Sequence, residues 1–343
     1  YQRAIDLKPE FAASYNNLGN SLQYLGRLDE AVVNYRIALT IQTEYSEALN
    51  NIGNALWELG KLVEAAECFQ KAIRLDPNFA EAYYNYHNFL LDPNDMSRAI
   101  KCMEKAVKIK PENTEFRFLL GMLLDYSGCV KEAAQQFELL QTKTNSKHPK
   151  LDGWHYIKDV AKCLPPIIGS NIEAFRLGIG VAHNEGLVLE FGVRFGTSIR
   201  QIAEIAKQEV HGFDSFQGLP DAWNSLPPGT YSTNNEMPSV PQNVTLHKGW
   251  FDTTLPVFIE SNKDPVRFIN IDCDIYSSTK TVLNLLAKQI IPGTVIVFDE
   301  YIGNESWRED EFKAFQEAVL KYGWDYEYLA FSFITKQVVI QIK

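Results

Sequence analysis

The sequence has no apolar run that approaches the roughly 20 residues of a membrane-spanning helix. It has only five cysteines, an odd number that includes no C-x-x-C pair, which argues against a disulfide framework and against a zinc knuckle. Unpaired thiols are typical of a reducing compartment. Together these absences predict a soluble, cytoplasmic protein with no membrane partner.

Lysine and arginine are also scarce, particularly in the second half of the chain. Residues 1–150 hold 17 Lys and Arg against 19 Asp and Glu, whereas residues 151–343 hold 16 against 24, and the formal net charge of the chain is −10. Binding to a phosphate backbone depends on many Lys and Arg contacts. The charge distribution therefore argues against a nucleic acid as partner.

Several motifs that identify common enzyme classes are missing as well. No G-x-S-x-G elbow, phosphate-binding loop or zinc-ligand spacing occurs, and the G-x-G-x-x-G turn of nicotinamide-dependent oxidoreductases is absent. What the sequence does contain is 343 residues with 45% apolar and 12% aromatic content, which excludes a disordered chain and predicts about two domains.

The first half of the sequence repeats every 34 residues without an insertion. Glycine dominates one column, large or aromatic residues a second and alanine two others. The columns are Gly19, Gly53, His87 and Gly121; Tyr1, Tyr35, Phe69, Met103 and Phe137; Ala31, Ala65, Ala99 and Ala133; and Ala4, Ala38, Ala72 and Ala106. This pattern resembles the tetratricopeptide repeat, which implies a solenoid of antiparallel helix pairs. Four whole repeats fit between about residues 12 and 143 after a truncated one, so we expect the chain to begin inside a repeat of a longer protein.

Two asparagine columns fall on the first helices of these repeats, which line the concave groove of such a solenoid. They comprise Asn17, Asn51 and Asn85, and Asn20, Asn54 and Asn88. A carboxamide both donates and accepts hydrogen bonds and so matches the backbone of an extended peptide. The columns indicate either a groove that binds a protein or peptide or the ordinary consensus of the repeat.

The second half of the sequence alternates short apolar segments with helical ones. Strands are predicted at 187–191, 210–213, 244–246, 267–271 and 294–298, helices at about 197–208, 252–261, 277–289 and 309–322, and a closing hairpin at 326–333 and 337–342. Such alternation predicts a mostly parallel sheet with helices on both faces, whose ligands bind at the carboxyl ends of the strands. Functional residues are therefore expected just after each strand.

Polar motifs do follow the predicted strands. The first strand runs into E-x-G-x-x-x-G-x-S at 190–198, where two glycines permit either close approach of a ligand or tight packing of strand on helix. Asp214 ends the second strand, where an acid can accept both hydroxyls of a ribose or can cap a turn. Asp272, in D-x-D-x-Y-x-S-T, follows the fourth strand, and Asp299 and Glu300 follow the fifth.

In order and spacing, these motifs resemble the class I S-adenosylmethionine-dependent methyltransferases, and more narrowly the macrocin O-methyltransferase group, over roughly residues 170–343. The resemblance implies a Rossmann-like domain, S-adenosylmethionine as cofactor and a small hydroxyl-bearing acceptor. It implies a cofactor site in which the methionine part is surrounded by Glu190, Gly192, Gly196 and Ser198, and the ribose is held by Asp214. Phe216 and Phe251 would flank the adenine, and Asp252 would accept from its amino group. The remaining residues implied to lie in the cofactor site are Val193, Thr197, Ser215, Gly249 and Asp272.

The same resemblance implies roles for the acids after the fourth and fifth strands. Asp272, Asp299 and Glu300 would hold Mg²⁺, which prefers oxygen ligands. The chemistry of methyl transfer, in which a hydroxyl must lose its proton, suggests Asp272 as the catalytic base. The sequence departs from the pattern here, because related enzymes commonly have Asp-Asp or Asp-Asn where this chain has Asp299-Glu300. The alternative is that these acids cap helices or are solvated.

The sequence therefore predicts a tetratricopeptide solenoid at 1–143, a linker and capping helix at 144–169 and a Rossmann-like methyltransferase domain at 170–343. The predicted function is an S-adenosylmethionine-dependent O-methyltransferase whose repeats recruit a protein, peptide or carrier-bound substrate. The alternative is a protein-interaction scaffold with a degenerate methyltransferase-like domain. We expect residues 218–243 to form a lid over the site and residues 302–311 to form its opposite wall.

Overall fold

The computed structural model describes residues 1–141, 148–161 and 163–343. Residues 142–147, where the predicted linker begins, and residue 162 lie outside the described residues. The contacts divide the chain into two compact units, Tyr1–Ser146 and Lys147–Lys343. In the part of the chain that the structure describes, no helix is long and apolar enough to cross a membrane.

The first unit consists of antiparallel helix pairs. Its helices are α1 (Gln2–Leu7), α2 (Ala12–Tyr24), α3 (Leu28–Ile41), α4 (Ser46–Glu58), α5 (Leu62–Leu75), α6 (Ala80–His87), α7 (Ser97–Ile109), α8 (Thr114–Tyr126) and α9 (Val130–Gln141), with a 3₁₀ turn at Asn88–Leu90. The pairs α2 and α3, α4 and α5, α6 and α7, and α8 and α9 reproduce the period of the sequence, which confirms the predicted helical repeats.

The glycine column lets the two helices of a repeat touch. A Cβ atom on Gly53 would lie 2.6 Å from Cε1 of Phe69, closer than carbon atoms in a folded protein approach one another. In the third repeat His87 stands in the glycine column and Met103 in the aromatic one, and both are fully buried. A flexible methionine side chain can leave room for an imidazole where a rigid aromatic ring would not.

Replacing Gly53 with alanine should lower the free energy of unfolding of the repeats by about 1 to 3 kcal/mol, because the added methyl group overpacks the helix contact with Phe69. Chemical unfolding followed by far-ultraviolet circular dichroism measures the loss. In a Phe69→Met background the same change should cost less, since the methionine side chain can move aside. An equal cost in both backgrounds would contradict this account of the column.

The second unit combines a seven-stranded sheet with helices. Its strands are β1 (Leu187–Phe191), β2 (Val210–Asp214), β3 (Val244–Lys248), β4 (Val266–Ile271), β5 (Val295–Phe298), β6 (Tyr326–Phe331) and β7 (Val338–Ile342). Its helices are α10 (Pro149–Val160), α11 (Asn171–Val181), α12 (Thr197–Ala206), α13 (Phe251–Ser261), α14 (Tyr276–Leu286) and α15 (Glu311–Tyr322).

The sheet is parallel except at one edge. Its strand order is β3-β2-β1-β4-β5-β7-β6, in which β1 to β5 pair in parallel and β7 pairs antiparallel with both β5 and β6. This arrangement confirms the predicted Rossmann-like fold with its closing antiparallel hairpin. Every residue of β1 and β5 is buried, as expected for parallel strands covered on both faces. The chain proceeds from β1 to β2 on one side and later crosses to β4 on the other, so a crevice lies between the carboxyl ends of β1 and β4.

Helix α10 packs within the second unit. Trp154 is fully buried, and its ring centroid lies 5.9 Å from that of Phe331 on β6. The hydroxyl oxygens of Tyr156 and Tyr328 lie 2.9 Å apart. These contacts pack α10 against β6 of the closing hairpin. The domain boundaries expected from the sequence stay predictions.

Candidate active site

A cavity of about 490 Å³ opens at the carboxyl ends of β1, β2, β4 and β5. Its volume lies within the range of about 300 to 1,000 Å³ that is typical of small-molecule and cofactor sites. The lining residues are Gly192, Arg194, Asp214, Ser215, Gly218, Leu219, Pro220, Asp221, Tyr231, Trp250, Phe251, Asp252, Asp272, Cys273, Asp274, Ser277, Ser278, Thr281, Asp299 and Glu300. The site thus forms where the parallel sheet was expected to place it.

The structure brings about half of the predicted site residues into this cavity. Those in its wall are Gly192, Asp214, Ser215, Phe251, Asp252, Asp272, Asp299 and Glu300. Those outside the lining set are Glu190, Val193, Gly196, Thr197, Ser198, Phe216 and Gly249. Several of the second group lie on the elements that support the wall: Glu190 is in β1, and Thr197 and Ser198 begin α12.

Gly192 lies where the β1 turn, residues 192–196 between β1 and α12, meets the end of β4. Its backbone is left-handed, with φ +94°, and a Cβ atom would lie 1.7 Å from the carbonyl oxygen of Asp272. The Gly192 amide donates to the carbonyl oxygen of Phe213 at 3.0 Å, and the Asp272 amide donates to that of Phe191 at 2.8 Å. No other amino acid fits here, so glycine fixes the closest approach of the two strands at the cavity wall.

The Asp214 carboxylate organises the turns around the cavity. Its Oδ2 accepts from the backbone amides of Val193 at 2.8 Å and Arg194 at 2.7 Å, and its Oδ1 accepts from the amide of Phe216 at 2.6 Å. Hydrogen bonds to a charged acceptor are stronger than those between neutral groups. Asp214 therefore ties the β1 turn to the end of β2, a role that the sequence suggested only as a turn cap.

Glu190 is a buried carboxyl group beneath the β1 turn. Its Oε1 accepts from Nδ2 of Asn270 at 2.9 Å, whereas its Oε2 has no hydrogen-bond partner among the described residues. Burial raises the pKa of Glu190 from 4.5 to about 8, and interactions with Ser198 and Asn270 offset only part of that rise. A buried acceptor without a partner is costly unless a proton or a ligand satisfies it.

Phe216 does not take the position expected at the adenine. Its side chain is 1% exposed and packs in the hydrophobic core with Val193, Ile199 and Ile202. The backbone of Phe216 is left-handed, with φ +59°, and the ring faces the core instead of the cavity. The predicted contact of Phe216 with adenine is therefore not supported, whereas Phe251 does line the cavity and packs its ring edge-on against Phe191.

Acidic side chains form the wall of the cavity below β4 and β5. Burial, followed by the charge of Asp299, raises the pKa of Asp272 well above its ordinary value. Burial and the neighbouring Glu300 raise the pKa of Asp299 to about 8 and that of Asp274 to about 7. These groups repel one another when charged, so the cavity retains protons near neutral pH in the absence of a bound cation.

The predicted Mg²⁺ site is not supported. Lys336 Nζ lies 3.0 Å from Oε1 of Glu300, Asn304 donates to the other carboxylate oxygen at 3.4 Å, and Gln337 Nε2 donates to Oδ1 of Asp299 at 2.6 Å. Lys336 and Gln337, which lie between β6 and β7, thus engage the carboxylates of Glu300 and Asp299. Over residues 1–141, 148–161 and 163–343, no group of three or more His, Cys, Asp or Glu side chains is placed to hold a metal ion. Asp272, Asp299 and Glu300 line one cavity without forming such a group.

Of the predicted lid at 218–243 and the predicted opposite wall at 302–311, only the lid contributes residues to the cavity. Residues 218–221 and Tyr231 of the predicted lid line the cavity. Residues 302–311 do not line it, so their assignment as the opposite wall was wrong. They pack instead against neighbouring elements, where Arg308 binds Asp152 of α10 at 2.7 Å and Asp310 accepts from the Trp223 indole at 3.0 Å.

Sequence reasoning missed several cavity residues, namely Arg194, Trp250, Tyr231, Asp221, Asp274 and Ser277. Three of them lie within two residues of a predicted site residue. Arg194 lies between the two glycines of the β1 turn, Trp250 precedes Phe251, and Asp274 is the second acid of the D-x-D motif. Their position after a strand was the signal that could have identified them.

Comparison with known families matches both units of the chain. A methyltransferase-domain family model matches residues 189–301, and tetratricopeptide-repeat models match residues 1–33, 46–79 and 80–113. The chain therefore contains tetratricopeptide repeats and a methyltransferase domain. No curated protein matches it.

Several solved structures are similar to parts of the chain. CalS11, a calicheamicin methyltransferase, is 18% identical, and the similarity covers 71% of this chain and 90% of CalS11 with a TM-score of 0.40. YrrB, described as a TPR protein with an unusual peptide-binding site, is 28% identical over 41% of this chain and 73% of YrrB, with a TM-score of 0.37. MamA is 23% identical over 42% of this chain and 84% of MamA, with a TM-score of 0.36.

Proposed function

We propose that this chain is an S-adenosylmethionine-dependent O-methyltransferase whose tetratricopeptide repeats recruit a protein, peptide or carrier-bound substrate. The observation that carries the proposal is the cavity at the carboxyl ends of the parallel strands, which lies within the methyltransferase domain. A glycine without room for a side chain, several carboxylates and an aromatic ring meet there. Ligands of open α/β sheets bind at this edge.

The side chains around the cavity fit the parts of S-adenosylmethionine. Gly192 permits the left-handed turn after β1 that brings this backbone into the cavity wall. Glu190 lies buried beneath that turn, behind the cavity wall, where its charge would favour an ammonium or sulfonium group nearby. One ribose hydroxyl would donate to Asp214, and Phe251 and Asp252 would contact the adenine ring and its amino group. A carboxylate has about four acceptor positions, so the three amide bonds of Asp214 leave room for one more donor.

The electrostatics of the cavity favour a cationic ligand. Bound S-adenosylmethionine supplies an electrophilic methyl group on a positively charged sulfur. The carboxyl groups of Asp272, Asp274 and Asp299 line the space beside it. A cation in their midst would lower their raised pKa values and release protons, because opposite charge stabilises the ionised form of a carboxyl group.

Asp272 is the proposed general base. Its carboxylate oxygen would accept the proton of the acceptor hydroxyl as the hydroxyl oxygen attacks the methyl carbon in line. Burial and the neighbouring acids raise the pKa of Asp272, so Asp272 becomes available as a base once the positive charge of the bound cofactor lowers that pKa. The proposed step uses no metal ion, because Lys336 and Gln337 already engage Glu300 and Asp299.

The repeats support a recruiting role through their asparagine columns. Nδ2 of Asn51 donates to Oδ1 of Asn16 at 3.0 Å and of Asn20 at 3.1 Å, and Nδ2 of Asn85 donates to Oδ1 of Asn50 at 2.9 Å. These bonds link neighbouring repeats and fix the orientation of the amides. Each carboxamide has two donors and two acceptor positions, so capacity remains for the backbone of a peptide.

Calorimetric titration of the full chain with S-adenosylmethionine, S-adenosylhomocysteine and NAD tests the cofactor assignment. We expect both adenosyl compounds to bind with dissociation constants near about 1 to 100 μM, corresponding to about 5.5 to 8 kcal/mol, and NAD not to bind. Binding of S-adenosylmethionine should release protons, seen as a dependence of the measured heat on the buffer. Failure of both adenosyl compounds to bind would favour the interaction scaffold over the enzyme.

A further inference from the structure

Arg194 has an unusual position in the wall of the cavity. It is the only lysine or arginine among the described residues that line this space, where the other charged side chains are all acidic. Its guanidinium carbon lies 4.5 Å from the ring centroid of Phe195 and 4.8 Å from that of Tyr231. A planar cation between two aromatic faces is held in one orientation. Arg194 is therefore a fixed positive charge at the cavity.

The guanidinium of Arg194 is not saturated by the protein. Its Nε is buried and has no hydrogen-bond partner among the described residues. A buried donor without an acceptor costs free energy, and such groups are uncommon in folded proteins. Asp274 faces Arg194 closely enough that the arginine lowers its pKa, against the larger effects of burial and of Glu300. A ligand that brings an acceptor to this guanidinium would satisfy it.

The backbone around Arg194 is also unusual. Arg194, Tyr231 and Asp274 have left-handed conformations, with φ of +47°, +69° and +62°. All three line the same cavity although they come from the β1 turn, the predicted lid and the β4 turn. Left-handed residues other than glycine are unfavourable and persist where the surrounding structure holds them, often at ligand sites. Three separate segments thus adopt strained conformations to place these side chains together.

We infer that Arg194 is the anion-binding residue of the cavity and takes a carboxylate of a bound ligand. The paired N–H groups of a guanidinium match the two oxygens of a carboxylate. The inference rests on the proposed function, because S-adenosylmethionine carries one carboxylate, on its methionine part. An acid group on the methyl acceptor is the second source of the same chemistry. The other charged side chains of the wall are acidic and would repel a ligand carboxylate. Arg194 therefore also determines the orientation in which a dipolar ligand binds.

Two thioethers distinguish the cofactor carboxylate in a calorimetric titration of the full chain. S-adenosylhomocysteine carries the amino-acid part, and 5′-methylthioadenosine lacks it. Arg194→Met, which keeps an apolar chain between the two rings, should weaken S-adenosylhomocysteine binding about tenfold to a hundredfold and leave 5′-methylthioadenosine within about twofold. Arg194→Lys should recover part of the loss. Arg200→Met is the matched control, because Arg200 bonds the carbonyl oxygens of Phe195 and Ser239 outside the cavity lining.

The acceptor source is tested by titrating salicylate, a hydroxyl-bearing carboxylate, into the complex with S-adenosylhomocysteine. Loss of salicylate binding in Arg194→Met, with unchanged S-adenosylhomocysteine affinity, would assign the carboxylate to the acceptor. If Arg194→Met changes neither affinity, or if salicylate never binds and S-adenosylhomocysteine binds equally to both proteins, the inference is overturned. If the unmodified chain binds neither thioether, the proposed cofactor itself is wrong. Retained 5′-methylthioadenosine binding shows that each variant is folded.

Discussion

Glu190→Gln should make the second unit more stable at alkaline pH while weakening its affinity for S-adenosylmethionine. The pKa of Glu190 is about 8 in the folded chain against 4.5 ordinarily, so only the folded state holds this proton between those values. The stability contributed by that proton is complete below about pH 4.5 and is lost as the pH rises through about 8. Glutamine stays neutral and keeps an oxygen for Asn270. At pH 9 we expect the variant to be about 3 to 5 kcal/mol more stable.

Urea unfolding of the free protein at pH 5, 7 and 9, followed by tryptophan fluorescence, measures this effect. The two proteins should be nearly equal at pH 5 and should diverge as the pH rises. Calorimetry at pH 9, where Glu190 is ionised in the free protein, should show affinity for S-adenosylmethionine reduced about tenfold or more, because an uncharged amide no longer attracts a cation. Glu204→Gln, an exposed position on α12, is the control and should change neither quantity. Parallel stability profiles for Glu190→Gln and the unmodified chain would refute the buried-carboxyl assignment.

Asp214→Asn should destabilise the second unit by about 2 to 4 kcal/mol even without a ligand. The aspartate accepts three backbone amides with two oxygens, two of them through Oδ2. An asparagine has one carbonyl oxygen, and its NH₂ group would face either the paired amides of Val193 and Arg194 or the amide of Phe216. At least one backbone donor would lose its acceptor and meet another donor.

The free energy of unfolding of the unliganded protein separates this structural role from ribose binding. Asp252→Asn is the matched control, because Asp252 is exposed and lines the cavity. It should leave stability unchanged and lower only the affinity for the adenosyl compounds. If Asp214→Asn were as stable as the unmodified chain but bound S-adenosylhomocysteine weakly, ribose contact alone would explain the aspartate.

Local sequence patterns were sufficient for the elements and for the edge of the sheet that carries the site. The glycine and aromatic columns determine helix contacts within each repeat, as the close approach of Gly53 to Phe69 demonstrates. In the second half, parallel strands place their following residues at one edge whatever those residues are. Gly192, Asp214 and Asp272 were found in this way, because each ends or directly follows a strand.

Side-chain direction and distant partners were beyond such patterns. Phe216 follows a strand as Ser215 does, but its left-handed backbone and the apolar side chains around it place the ring in the core. Glu300 was expected to bind a cation, yet Lys336, 36 residues later in the chain, neutralises it. Arg194 was visible between two glycines, whereas its aromatic neighbour Tyr231 comes from a connector whose path no local periodicity indicates. Each failure concerns a contact made only after the chain has folded.

The third repeat has a consequence for how the solenoid opens. Helix α6 has 8 residues where α4 has 13, and the imidazole of His87 is buried with Nε2 lacking a partner among the described residues. In a stack whose members contact only their neighbours, cooperativity passes through each member in turn. We expect the third repeat to be the weakest member, so that the segments α2 to α5 and α8 to α9 open separately. A peptide bound along the groove across the third repeat would couple these two segments into one cooperative unit. Its binding would therefore make the whole solenoid more rigid.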